Sequence, residues 1–246
     1  MRIAAHLGYM WQDVPLLDRV HLAADAGFDG VDIPTPYELP AKELQRALLT
    51  SGLPLVTIAA PPPNYTGGDQ GYLARPGAES RFEHDFKRAV RFASALNIPM
   101  MHLLAGPVPV GDDTQAFETM QRNLDWAVGQ AGDIKLLVGA SHDTALHDPA
   151  QAVELVDKVA HDALQLLVEV GDAAVALPIV KEDTSLIGQI SLYATAKRAC
   201  PAKDGGSLKP VFEALKKARY DGWISAAYAF AAKDKDPLRW RKSVAP

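Results

Sequence analysis

Short apolar runs of β character alternate with amphipathic helical stretches from one end of this chain to the other, and few folds accept that order. A parallel strand whose outer side is covered by the next helix reads as a near-continuous run of Val, Ile, Leu and Ala. Eight such runs occur, at 3–7, 30–33, 55–59, 100–104, 134–138, 164–168, 187–193 and 223–227. Helical periodicity fills the intervals at 14–26, 41–50, 79–96, 114–131, 149–159 and 208–219. In the first helix Leu16, Leu17, Val20 and Ala24 share a face, and the second is bracketed by Pro40 and Gly52, each at the helix end it favours. The sixth crossover is the exception. Its stretch 171–178, from Gly171 to Pro178, predicts only a short or irregular connection. With 246 residues and 48% hydrophobic content, the economical arrangement is one domain spanning 1–246, a single (β/α)8 TIM barrel.

Charge and composition narrow the class of partner. The net charge of -5 is modest and its signs are interleaved, so no footprint for nucleic acid or an anionic membrane is present. A small molecule is the expected ligand. The lone Cys200 allows no intrachain disulfide and no Cys/His zinc pattern occurs, which suits the cytoplasm. No apolar run reaches membrane-spanning length, and the N-terminus carries no cleavage-site pattern, so the mature chain is expected to begin at Met1. The segment 60–78 is rich in Pro and Gly and longer than a plain connection needs, which marks it as a lid-like loop. Exposed barrel helices suit a homodimer, with Trp126 or Trp240 as contact candidates and internal packing as their alternative role.

Several linked motifs resemble the hydroxypyruvate isomerases of the xylose isomerase-like TIM barrel superfamily. They are Ala4-Ala5-His6-Leu7, Val14-Pro15-Leu16-Leu17, Ala26-Gly27-Phe28-Asp29-Gly30-Val31-Asp32 and Pro36-Tyr37 in the first quarter. Pro61-Pro62 with Gly68 and Gly71, Pro76-Gly77, Ala105-Gly106-Pro107-Val108-Pro109 and Tyr220-Asp221-Gly222-Trp223 continue the match. The resemblance covers nearly the whole chain and implies an isomerase of small ketoses or keto acids. It also implies a divalent metal that gathers substrate oxygens while two carboxylates move a proton between adjacent carbons.

The metal-binding part of that pattern is where this chain departs. The resemblance places the four ligands on Gly139, Glu169, Ser191 and Ala227. Only Glu169 keeps a carboxylate, so the metal is expected to be lost or weakly held: no cofactor, or at most a weak divalent ion. Gly139 and Ala227 also stand where the proton-transferring groups belong. The lid arginine is replaced by Gln70 and the asparagine before the lid by Ala59, which removes a two-pronged clamp for carboxylates.

What remains at the strand ends is a set of polar candidates. His6, Asp32, His102, His142 and Glu169 are expected to converge on one cleft, with His102, His142 and Glu169 as catalytic candidates. His142 lies three residues beyond Gly139, close enough for its imidazole to enter the space a missing glutamate leaves, with Asp143 to orient it. His6, Asp32, Tyr65, Gln70, Ser191 and Tyr228 are the substrate-binding candidates. Each also has a plain structural reading, as a satisfied strand-end histidine, a turn former or a packed aromatic.

The expected ligand is a small sugar or hydroxy/keto acid, bound by a barrel whose metal-dependent isomerase site has been lost. That leaves the barrel inactive or metal-independent. The alternatives are an aldose-ketose type isomerase working through His102, His142 and Glu169, and a non-catalytic sensor or partner subunit. Relocated metal ligands drawn from His102, His142, Asp32 and Glu169 form a further one.

Overall fold

The computed structural model describes residues 1–61, 71–107, 113–141, 144–195 and 197–244. Its strands are β1 (Arg2–His6), β2 (Gly30–Asp32), β3 (Leu55–Ala60), β4 (Met100–Leu103), β5 (Lys135–Val138), β6 (Leu164–Val170), β7 (Ile187–Leu192) and β8 (Trp223–Ala226). They follow one another in order as a closed parallel barrel, the (β/α)8 arrangement that the alternating pattern dictates. The helices are α1 (Leu16–Asp25), α2 (Ala41–Ser51), α3 (Glu79–Ala95), α4 (Asp113–Val128), α5 (Pro149–Val159), α6 (Ala173–Glu182), α7 (Lys209–Lys217) and α8 (Arg241–Val244).

Two compact units partition the chain. One comprises Met1–Ile33, Leu39–Val56 and Val168–Pro246; the other comprises Pro34–Glu38 and Thr57–Leu167. In the first unit β7, β8, β1 and β2 are consecutive neighbours, with Ser191 opposite Ser225, Ala4 opposite Ser225 and Gly30 opposite Ala4. In the second unit β4 pairs with β3 and β5, setting His102 beside Ala59 and Leu137. There α3 buries Phe82, Phe86, Ala89 and Ala93 along one stripe, the i, i+4, i+7, i+11 spacing of a helix lying on a sheet.

Local sequence explains most helix ends. Asp148 caps α5 by accepting a hydrogen bond from the Ala150 N–H at 2.9 Å, with Pro149 in the first helical position. α2 stops at Gly52, whose φ of 71° no side-chain-bearing residue adopts cheaply.

The sixth crossover corrects the sequence reading. Instead of an irregular link, α6 runs for ten residues and contains Pro178. Asp172 starts it, accepting from the Ala174 N–H at 2.8 Å, and the buried Ala176 and Val180 hold it to the core. The cap and the packing outweigh the one hydrogen bond that Pro178 cannot donate.

One candidate dimer contact is corrected too. Trp240 is fully buried, stacked on Phe212 at 5.9 Å and donating its indole N–H to the Tyr228 hydroxyl at 2.8 Å. Trp126 packs edge-on against Phe86 and Phe82, with centroids 5.5 and 6.1 Å away. Trp240 thus serves the interior, as a large aromatic surface with a satisfied polar edge commonly does, whereas Trp126 is half-buried and keeps both of its readings. Among the described residues no helix is long and apolar enough to cross a membrane.

Candidate functional site

A band of small residues crosses the first unit's sheet, because Gly30, Ala4, Ser225 and Ser191 are successive register partners on β2, β1, β8 and β7. Asp32, 3% exposed, accepts a hydrogen bond from the side-chain amide of Gln189, 1% exposed, at 2.9 Å. Two strands, β1 and β8, lie between β2 and β7, so both side chains must project from the concave face and span it diagonally. The short side chains of Ala4 and Ser225 leave that diagonal clear. A buried carboxylate is tolerable only with donors of this kind. His6, beside Asp32 in the register, is half-buried with its ring 4.7 Å from that of Tyr9.

One step toward the C-terminal strand ends, a second cluster gathers around Glu169. Its Oε2 accepts from the Tyr193 hydroxyl at 3.0 Å, and its Oε1 pairs with the Arg198 guanidinium at 2.8 Å. Arg198 also donates to the Ala227 carbonyl at 3.3 Å. Its guanidinium carbon lies 4.1 Å from the Tyr193 ring centre and 4.4 Å from that of Tyr9, so two aromatic rings hold the cation while a carboxylate neutralises it. Burial alone would lower the Arg198 pKa, but the hydrogen bond and charge of Glu169, with Tyr9 and Tyr193 beyond it, raise it above its ordinary value. The pKa of Tyr193 is pushed up to about 12, first by burial and then by the negative charge and hydrogen bond of Glu169.

The backbone is shaped to present this cation. Arg198 itself has a φ of 48° and Thr195 a φ of 63°, a left-handed conformation that costs a non-glycine residue about 1 kcal/mol or more. Paired 2.7 Å hydrogen bonds between Ala194 and Ala199 close the turn, and the Ala229 N–H holds the Arg198 carbonyl at 2.9 Å. At Gly171 a Cβ would overlap the Tyr193 ring, so the missing side chain is what lets the tyrosine lie there. In the second unit, a Cβ at Gly139 would overlap the Leu167 carbonyl. The closeness of β5 and β6 at this point is therefore tied to glycine.

The sequence-derived candidates do not all come together among the described residues. His6 and Asp32 are adjacent, and Asp32 joins Gln189. Glu169 joins Tyr193, Arg198 and Tyr9, of which sequence reasoning missed Arg198 and Tyr9. Ser191, 7% exposed, shares the small-residue band with Ser225. His102 lies on β4 in the second unit, half-buried. Tyr65, Gln70 and His142 lie outside the described residues, as do Asp143 and the stretch 62–70 of the lid-like loop. Tyr228 is corrected: it is fully buried, its hydroxyl bonded to the Pro237 carbonyl and to Trp240, which makes it a packing residue of the C-terminal segment. Asp172, also weighed from the sequence, is the α6 cap.

Arg198 was missed because it lies in the polar connection after β7, where a Lys197-Arg198 pair looks like any solvated turn. The signal available was a lone carboxylate, Glu169, at a neighbouring strand end in need of a cation. Among the described residues no three His, Cys, Asp or Glu side chains gather as a metal-binding group.

Comparison with known proteins completes the description. Residues 20–245 match the family described as Xylose isomerase-like TIM barrel. The chain is 30% identical to the 2-oxo-tetronate isomerase of Pectobacterium atrosepticum, over 97% of this chain and 96% of that protein. It is 24% identical to the hydroxypyruvate isomerase of Escherichia coli, over 98% of both chains. The crystal structure of an AP endonuclease, family 2, from Brucella melitensis superposes with a TM-score of 0.85 at 25% identity, covering 96% of this chain and 95% of that one.

Proposed function

The chain belongs to the xylose isomerase-like TIM barrel family, and from that premise we propose that it binds a small ketose or a hydroxy or keto acid at the C-terminal strand ends without a divalent metal. The observation that carries this reading is the engagement of Glu169. It is the one carboxylate left among the four positions that the resemblance marks as ligands, and its two oxygens already accept from Tyr193 and Arg198. A divalent cation asks for several oxygens at short range. Gly139 offers none, Ala227 offers a buried methyl group, and Ser191 a single hydroxyl. The donor set does not fit the metal.

Function has to be argued from the site rather than inherited with the barrel. Isomerases of 2-oxo-tetronate and hydroxypyruvate stand among the relatives, and their substrates are small molecules crowded with adjacent oxygens. The groups on this chain suited to such a ligand are the guanidinium of Arg198, the imidazole of His6 and the buried hydroxyls of Ser191 and Ser225. Glu169 acts here as a positioning group that holds Arg198, rather than as an acid or base.

The test is a thermal-shift panel of dihydroxyacetone, erythrulose, glycerate and hydroxypyruvate, run in EDTA and again with Mn²⁺ or Mg²⁺. A ligand that binds only the native state raises the melting temperature. The expected result is stabilisation by at least one compound in EDTA, with no further gain from metal. Stabilisation that appears only when metal is supplied refutes the reading.

A further inference from the structure

We propose that the outer side of α6, with the groove between α6 and α7, is a two-fold interface whose occupant is a second copy of this chain. Association through this face does not depend on which ligand the barrel takes.

A helix on the outside of a barrel turns a polar side to water. α2 does so, with Lys42, Glu43 and Arg46 exposed. α6 does not. Its first eight residues, 173–180, carry no polar side chain. Only Ala176 and Val180 among them are buried, while Ala174, Val175 and Pro178 are exposed, Val175 to 51%. A helix that is apolar all round belongs in an interior, and an apolar side left open on a folded chain marks a place where another protein surface settles.

Beside this open side, Leu177 and Val180 of α6 and Ala214 of α7 line a groove of about 580 Å³. Lys181, Glu213 and Lys217 also line it, and all three are exposed. An apolar centre with charges at its rim is the anatomy of a protein interface.

The signs of the rim charges select the partner. A rim of lysines alone would suit an anion or a lipid surface. Glu213 and Lys217 instead lie one turn apart on the same side of α7, at the i, i+4 spacing. A two-fold axis that crosses α7 between them turns the second helix antiparallel to the first. Each Glu213 then faces Lys217 of the partner subunit, the reciprocal pairing of a contact made by one patch with itself. The uncharged side of α6 is covered in the same step.

Sedimentation velocity on the full chain, from micromolar to submillimolar concentration, measures the association. Wild type is expected to form a reversible dimer. Glu213→Lys and Lys217→Glu each set like charges opposite one another twice across the axis, and each should weaken dimerisation at least about tenfold. The double variant Glu213→Lys/Lys217→Glu puts opposite charges back in place and should regain the wild-type dissociation constant. A purely local effect on α7 would not give that recovery. Val175→Asp tests the apolar part and should also shift the equilibrium toward monomer. Far-ultraviolet circular dichroism of the four variants should match wild type, because every substituted side chain is exposed.

A dimer indifferent to these substitutions, or a double variant as weak as the single ones, overturns the proposal. So does a wild-type chain that stays monomeric across the range, including one that binds vesicles of anionic lipid instead.

Discussion

At Gly171 the absence of a side chain seats Tyr193, and through Tyr193 it shapes one wall around the Arg198 cation. A Gly171→Ala substitution must displace the ring, and overpacking of this kind costs about 1–3 kcal/mol. Chemical denaturation should register that loss. A second consequence concerns pH. Tyr193 has a folded pKa of about 12 against an ordinary 10.0, so its neutral form is favoured in the folded state. Its contribution to stability is complete below the unfolded value and is lost as pH rises from about 10 toward about 12. Ultraviolet difference titration of wild type against Tyr193→Phe should place the missing tyrosinate transition near the upper value, and Glu169→Gln should shift that transition downward. At this scale sequence reading is uneven. Glu169 was legible because it is the one carboxylate among the four positions that the resemblance marks as ligands, whereas Arg198 and Tyr9 were not, since nothing in a Lys197-Arg198 pair or in Gly8-Tyr9-Met10 tells a solvated turn from a clamp.

Among the elements, α6 separates what sequence pattern can reveal from what it cannot. Strands covered on one side by helices must be apolar, so all eight were legible, with ends displaced by a residue or two. Pro178 read as a terminator because proline forfeits an N–H. The structure places it at the sixth residue of a helix whose start is secured by Asp172 and whose buried face holds Ala176 and Val180. Local rules give the penalty but not the packing that outweighs it. Replacing Asp172 by Ala should cost about 0.5–2 kcal/mol, read as a lower midpoint in urea without a change in slope. An unchanged midpoint would mean that packing alone maintains the helix.

For the molecule as a whole, the scaffold is that of the xylose isomerase-like TIM barrel family, while Gly139, Ser191 and Ala227 stand where the resemblance places metal ligands. Gly139 illustrates how far this goes. Its backbone approaches the Leu167 carbonyl more closely than any Cβ allows, so returning a glutamate there would require the two strands to separate. On the proposed metal-free reading, backbone spacing as well as side-chain identity opposes a metal here, and single reversions should not recover metal binding. The most direct measurement is a Mn²⁺ titration of the purified chain followed by electron paramagnetic resonance, with Glu169→Gln in parallel. The account expects only weak binding, of about millimolar order or poorer, because one engaged carboxylate and a hydroxyl make a poor hard-cation site, and it expects the two proteins to behave alike. A one-to-one Mn²⁺ site of micromolar affinity that disappears in Glu169→Gln would contradict it.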